Sequence, residues 1–178
     1  YSFRSRIEEV KNGVRVIQPK DIKNDDIQWD TVTATDLGAK KAPEPLLNGD
    51  LLILSRGLKQ QALVFKSDDS ERYTICSNMY HHYRVKSDDI NPYYLAFLLN
   101  HSNKIKNQIE VASASSSMTV KVYSRQSIED LDIPVPPRKE QDAIVALHDN
   151  IKQQQQCYQE LMDNNQAMLS GVANKLTK

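Results

Sequence analysis

The feature that most limits what this chain can fold into is a change of pattern at residue 137. Just before it, Ile133-Pro134-Val135-Pro136-Pro137 places three prolines in five positions. They remove three amide donors and hold the backbone extended, so regular pairing must end there. Residues 140–175 then contain no proline, and Ile144, Leu147, Ile151, Tyr158, Leu161, Met168 and Val172 fall at alternating three- and four-residue spacing. That is the seam of a coiled-coil helix. Gln154 and Asn165 share its register; an amide in such a seam is costly unless paired, and it selects the orientation of a partner rather than adding stability. Some 35 residues at about 1.5 Å each make a rod on the order of 50 Å long. A rod with one apolar stripe needs a second helix, and only one such segment exists here. The partner is therefore expected to be a second copy or another chain, and these nine residues are the expected dimer interface.

Upstream of the prolines the pattern is that of a sheet. Val14 and Val16 share one face of a strand over residues 13–18, and the apolar run 51–54, preceded by the turn Asn48-Gly49-Asp50, predicts a core strand. Residues 62–65 predict its hairpin partner, and 73–76 and 82–85, rich in Tyr, Thr, Ile and Val, predict two more strands. Asn91-Pro92 signals a helix start, with Leu95, Leu98 and Leu99 at helical spacing to about residue 100; a shorter helix is expected over 103–110. Residues 112–117 predict a small, polar loop, 120–123 a strand, and Ser127 the cap of a short turn. The fold class is thus α+β, one core followed by a long C-terminal helix.

Composition narrows the function. The 178 residues carry 23 Lys+Arg against 23 Asp+Glu, with 39% hydrophobic residues and a mean hydropathy of -0.59. This suits a folded, polar protein of one domain with an appendage. No apolar run reaches the ~18 residues a membrane span needs, and the N-terminus has no signal core. With only Cys76 and Cys157 present, a disulfide framework is not indicated, and a reducing, cytoplasmic setting is expected. Tyr1 stands where an initiator Met would, so a longer natural polypeptide is expected. Zero net charge argues against coating nucleic acid by bulk attraction, though a locally basic face is compatible with it.

Most catalytic chemistry finds no support. The four histidines, at 81, 82, 101 and 148, have no partner at metal-ligand spacing, and five glycines form neither a phosphate-binding loop nor a nucleophile elbow. Asn91-Pro92-Tyr93-Tyr94 is similar to the Asn-Pro-Pro-Tyr of amino-methyltransferases, but the second proline and any cofactor motif are missing, and an ordinary helix start accounts for it. The acid-x-Lys spacings at Glu9 and Asp21 have no third acid beside them. No metal or cofactor is expected. What remains is three loops carrying side chains that read base edges or hold phosphates: Arg56, Lys59 and Gln60; Asn78, Tyr80 and His81; and Ser115, Ser116 and Ser117 leading to Lys121 and Arg125. These are the expected DNA-binding residues, against the plainer reading that they are solvated turns.

The motif Leu131-Asp132-Ile133-Pro134-Val135-Pro136-Pro137-Arg138-Lys139-Glu140-Gln141, followed by a long helix, resembles a signature of the specificity subunits of type I restriction-modification systems. Gly49-Asp50-Leu51-Leu52, Pro92-Tyr93-Tyr94-Leu95 and Val16-Ile17-Gln18-Pro19-Lys20-Asp21-Ile22 resemble further segments of that family, so the similarity spans nearly the whole chain. It implies a curved, mostly antiparallel β-sheet with helices as a DNA target-recognition domain, residues 1–137, and a coiled-coil spacer and dimerisation helix, residues 138–178. Family members normally carry two of each, and this chain has one.

The resemblance implies a non-catalytic reader of double-stranded DNA that directs DNA methyltransferase subunits and a restriction subunit to a bipartite site. Two copies pairing their rods antiparallel would place one reader on each half of that site. Two other readings stay open on the sequence: the DNA-recognition portion of a larger fused methyltransferase-nuclease, and a coiled-coil adaptor whose sheet domain binds protein.

Overall fold

The computed structural model describes residues 10, 13–38, 43–69, 71–112 and 121–176. Its centre is strand β5 (Leu51–Leu54), buried on both faces. Leu51 and Ile53 face one apolar cluster, with Leu99, Ile105, Ile109 and Ile128 from the helices. Leu52 and Leu54 face a second, with Ile17, Leu63, Phe65 and Tyr80. A strand covered on both sides reads as an unbroken apolar run, which is why residues 51–54 do not alternate. β5 pairs antiparallel with β7 (Ala62–Val64) and with β9 (Tyr80–Tyr83). A second three-stranded sheet sets β1 (Val14–Ile17) between β4 (Thr33–Thr35) and β8 (Thr74–Cys76).

The expected single curved sheet is thus replaced by two three-stranded sheets and two short ribbons, β2 (Ile22–Lys23) with β3 (Asp26–Ile27), and β6 (Arg56–Gly57) with β10 (Lys121–Val122). Pairing is antiparallel except between β1 and β8, which run parallel. The β2–β3 turn holds Asn24 and Asp25 at φ 52° and 61°, the left-handed backbone that two-residue hairpin turns require and that Asn and Asp tolerate. At Gly49, φ is 97°, so glycine is what lets the chain turn into β5.

Three local expectations shift. The strand expected at 82–85 runs from Tyr80 to Tyr83, because Arg84 leaves the ladder to bind carboxylates. Its Nε and Nη2 donate to Asp50 at 2.8 Å each, and its other arm pairs with Glu44. Ser127 is not a cap: Ser124 caps α3 (Arg125–Glu129) by accepting from the Ser127 N–H at 3.0 Å. The two helices α1 (Pro92–His101) and α2 (Asn103–Ala112) form as expected. Asn100 near the end of α1 covers the open edge of β7, accepting from the Ala62 N–H and donating to its carbonyl at 2.8 and 2.7 Å. This satisfies an otherwise bare strand edge.

After the proline segment, α4 (Arg138–Leu176) runs for 39 residues, about 58 Å. Its root is gripped by the domain. Gln141 is fully buried; its Oε1 accepts from the Asn91 N–H at 2.9 Å, and its Nε2 donates to the carbonyls of Asp89 and Pro136 at 2.9 and 2.7 Å. Asp142 accepts from Asn91 Nδ2 at 2.7 Å, and Arg138 donates to the Asp88 carbonyl at 2.6 Å. Two turns on, the His148 ring meets Phe97 and His101 of α1, with centroids 5.3 and 5.0 Å away. Lys152 reaches Asp26 of the β2–β3 ribbon at 2.6 Å. Residues 153–176 are exposed throughout.

The apolar stripe avoids the gripped side. At about 100° per residue, the expected seam residues centre roughly 135° around the helix from Arg138, Gln141, His148 and Lys152. Ile144 is half-buried, and Leu147, Ile151, Tyr158, Leu161, Met168 and Val172 are 44–69% exposed. Gln154 donates to Asn150 at 2.7 Å one turn back, and Asn165 is exposed.

Replacing Gln141 with Leu would keep the volume and strand one buried N–H and two carbonyls. We expect a loss of about 2–4 kcal/mol in urea unfolding and new protease cleavage near residue 138; a loss below about 0.5 kcal/mol would show that the root is not held this way. Asp50 makes a second prediction. Burial alone would raise its pKa, but the bonds from Arg84, the Leu47 N–H and His82 outweigh it and hold the carboxyl below its usual value. A lowered folded-state value means stability that is complete above the ordinary carboxylate pKa and is lost as pH falls through the folded one. Asp50→Asn should therefore flatten the acid limb of stability below about pH 4, and an unchanged limb would contradict the assignment.

Candidate nucleic-acid interface

The described parts of the three loops singled out in the sequence meet at Ser55, at the end of β5. Its carbonyl accepts from the Tyr123 N–H at 2.8 Å and its N–H donates to the Met79 carbonyl at 2.7 Å. Its hydroxyl lies 2.9 Å from that same carbonyl and 3.3 Å from that of Asn78. The β6–β10 ribbon completes the junction, with Lys121 opposite Gly57 and Val122 opposite Arg56. Segments some 65 residues apart in sequence thereby form one face. They do so because β5 lies between β7 and β9, and its continuation, β6, pairs with β10.

On this face Arg56, Lys59 and Asn78 are exposed. Among the described residues neither Arg56 nor Lys59 has an ion-pair partner. Lys121 is paired with Glu110 of α2, which raises its pKa. Arg125 lies 4.8 Å over the Tyr83 ring and 3.8 Å from Glu129, so its orientation is set before any ligand arrives. The His81 ring is tied through Nε2 to the Tyr123 carbonyl at 2.7 Å, which gives it a positioning part between β9 and β10.

Tyr80 is a correction. Its side chain is 5% exposed within the cluster around Leu52 and Leu54, and burial raises its phenol pKa. It supports the face from beneath and does not present its ring to a ligand. The strand begins at Tyr80 rather than His82, and that shift turns the residue inward. Ser115, Ser116 and Ser117 lie outside the described residues.

Beside the ribbon a cleft of about 750 Å³ is lined by Lys59, Gln60, Lys106, Glu110, Lys121 and Tyr123, among others. Both polar atoms of the Gln60 amide are buried with no hydrogen-bond partner among the described residues. Lys106 was missed in the sequence. The available signal was its i, i+4 spacing to Glu110, which sets both on one face of α2.

The face combines exposed Arg56 and Lys59, without ion-pair partners among the described residues, with an exposed asparagine, side chains of the kind that hold phosphates and read base edges. Among the described residues no group of three His, Cys, Asp or Glu side chains converges as a metal site, and no helix is long and apolar enough to cross a membrane. A comparison with curated proteins finds no match. In a comparison with protein families, the model of the type I restriction modification DNA specificity domain matches residues 2–161, a span that ends in the middle of the rod. A DNA-recognition role follows from that match and agrees with the side chains on the face, and the chain belongs to the type I restriction-modification DNA specificity domain family.

Proposed function

We propose that the chain is a non-catalytic specificity component that reads one half of a bipartite DNA site, pairs through α4 with a second copy, and directs DNA methyltransferase and restriction subunits to that site. The observation that carries this reading is the placement of the seam. The domain grips one side of the rod's root through Gln141, and the apolar stripe runs along another side, out over residues 153–176. A helix held this way is a spacer with an oily edge to share. Antiparallel pairing of two copies would put a reader at each end, with Gln154 and Asn165 favouring one register over its neighbours.

In this account residues 1–137 are the reader and 138–178 the spacer. Arg56 and Asn78 contact bases, and Lys59 and Lys121 contact phosphates, Lys121 exchanging Glu110 for the backbone. Gln60 lines the cleft beside them, Arg125 holds α3 against Tyr83 of β9, and His81 ties β9 to the segment that follows β10. The named phosphate contacts are few, so the salt dependence of binding should be shallow beside that of strongly basic DNA-binding domains. Docking of the other subunits rests on the family alone.

Arg56→Ala and Asn78→Ala should each weaken binding to the preferred sequence by about 1–3 kcal/mol in a titration, with a smaller loss on random duplex. Equal losses on both would assign these residues to phosphates. Lys121→Ala should lower affinity equally on both. Leu147→Asp and Leu161→Asp should sediment as monomers; a dimer that survives both would remove α4 from the interface.

A further inference from the structure

We propose that Leu58 is an apolar wedge that enters the base stack of bound duplex DNA and unstacks one step. The inference rests on the reading of this face as the DNA-binding one and adds to it what the face does to the duplex. Leu58 follows the β6 strand and is 76% exposed, while Val122 on the opposite strand is 52% exposed. Folding has not hidden this leucine, and the residues around it are those that suit a polyanion. Arg56 and Lys59 flank it, both exposed and without an ion-pair partner among the described residues. A small apolar tip, Leu58 with Val122 beside it, between two cations that have no ion-pair partner among the described residues matches a duplex, whose phosphates take the cations and whose interior is the apolar part. A protein partner would be expected to offer a larger apolar surface to match.

A wedge must also be backed. Gly57 lies so close to the core that a Cβ there would stand 2.8 Å from the Leu54 side chain, and β10 ties the ribbon's second strand through the Tyr123 N–H to Ser55. The tip is therefore mounted on β5, the most buried strand of the molecule. Behind it lies the cleft of about 750 Å³, lined by Leu58 itself and by Gln60. That space is of the size of small-ligand sites, so it has room for a displaced base.

The probe is the duplex that the chain enriches from a random pool, synthesised with 2-aminopurine at successive positions. Binding of the full chain should raise the fluorescence several-fold at one step, and Leu58→Ala should abolish the rise while still binding the duplex. A mismatch at that step removes the unstacking cost, so it should tighten binding of the unaltered chain by about tenfold or more and leave Leu58→Ala nearly unaffected. Binding without a rise at any position would overturn the wedge and leave the DNA-reading face intact, with Leu58 then a groove contact such as one to a thymine methyl. A rise that persists in Leu58→Ala would likewise overturn it. Failure of the chain to bind or enrich any duplex would remove the wedge and the reading beneath it together.

Discussion

Everything that gives this molecule a direction passes through the Gln141 amide. It sits at the first turn of α4, fully buried, and binds three backbone groups on two segments, at Asp89 and Asn91 and at Pro136. A buried amide with its bonds made in a low-dielectric setting is stable, and one with its bonds broken is costly. The arrangement therefore tolerates little swivel. Lys152 with Asp26, and the rings of Phe97, His101 and His148, repeat the contact further along the helix. A reader attached to a rod by a loose linker could not measure a distance along DNA. One attached by two separated contacts can.

The His101–His148 contact also carries an electrostatic cost. Burial and the neighbouring His148 both lower the His101 pKa, opposed by Asp25. The neutral form of His101 is the one that suits the packed junction, so the rod's second point of contact is stronger when the His101 ring is uncharged.

Parts of the fold were legible because they obey a local rule. The run 51–54 is apolar throughout because β5 has a cluster on each face, and Asn91-Pro92 starts α1 because the Asn side chain accepts from the Tyr93 N–H at 2.9 Å. The proline segment and the heptads fixed α4 almost to the residue. What escaped has no local signature. The β2–β3 ribbon has two-residue strands, too short for alternation to register. The parallel pairing of β1 with β8 joins segments far apart in sequence, and nothing within either strand specifies it. The loops proposed to face DNA were singled out by residue type, but their meeting at Ser55 depends on the β6–β10 pairing, and the burial of Tyr80 follows from a β9 that begins two residues earlier than its composition suggests. Gln141 was read as part of a motif, and its burial could not be seen, since polarity in sequence predicts exposure.

The central claim is that a rigidly rooted rod holds two inert readers a set distance apart. Selection from a random pool of duplex DNA by the chain, followed by sequencing, tests it most directly. The account predicts two inverted half-sites separated by a gap of constant length whose own sequence is unconstrained. Enrichment of a single contiguous element, or of half-sites at variable spacing, would contradict it.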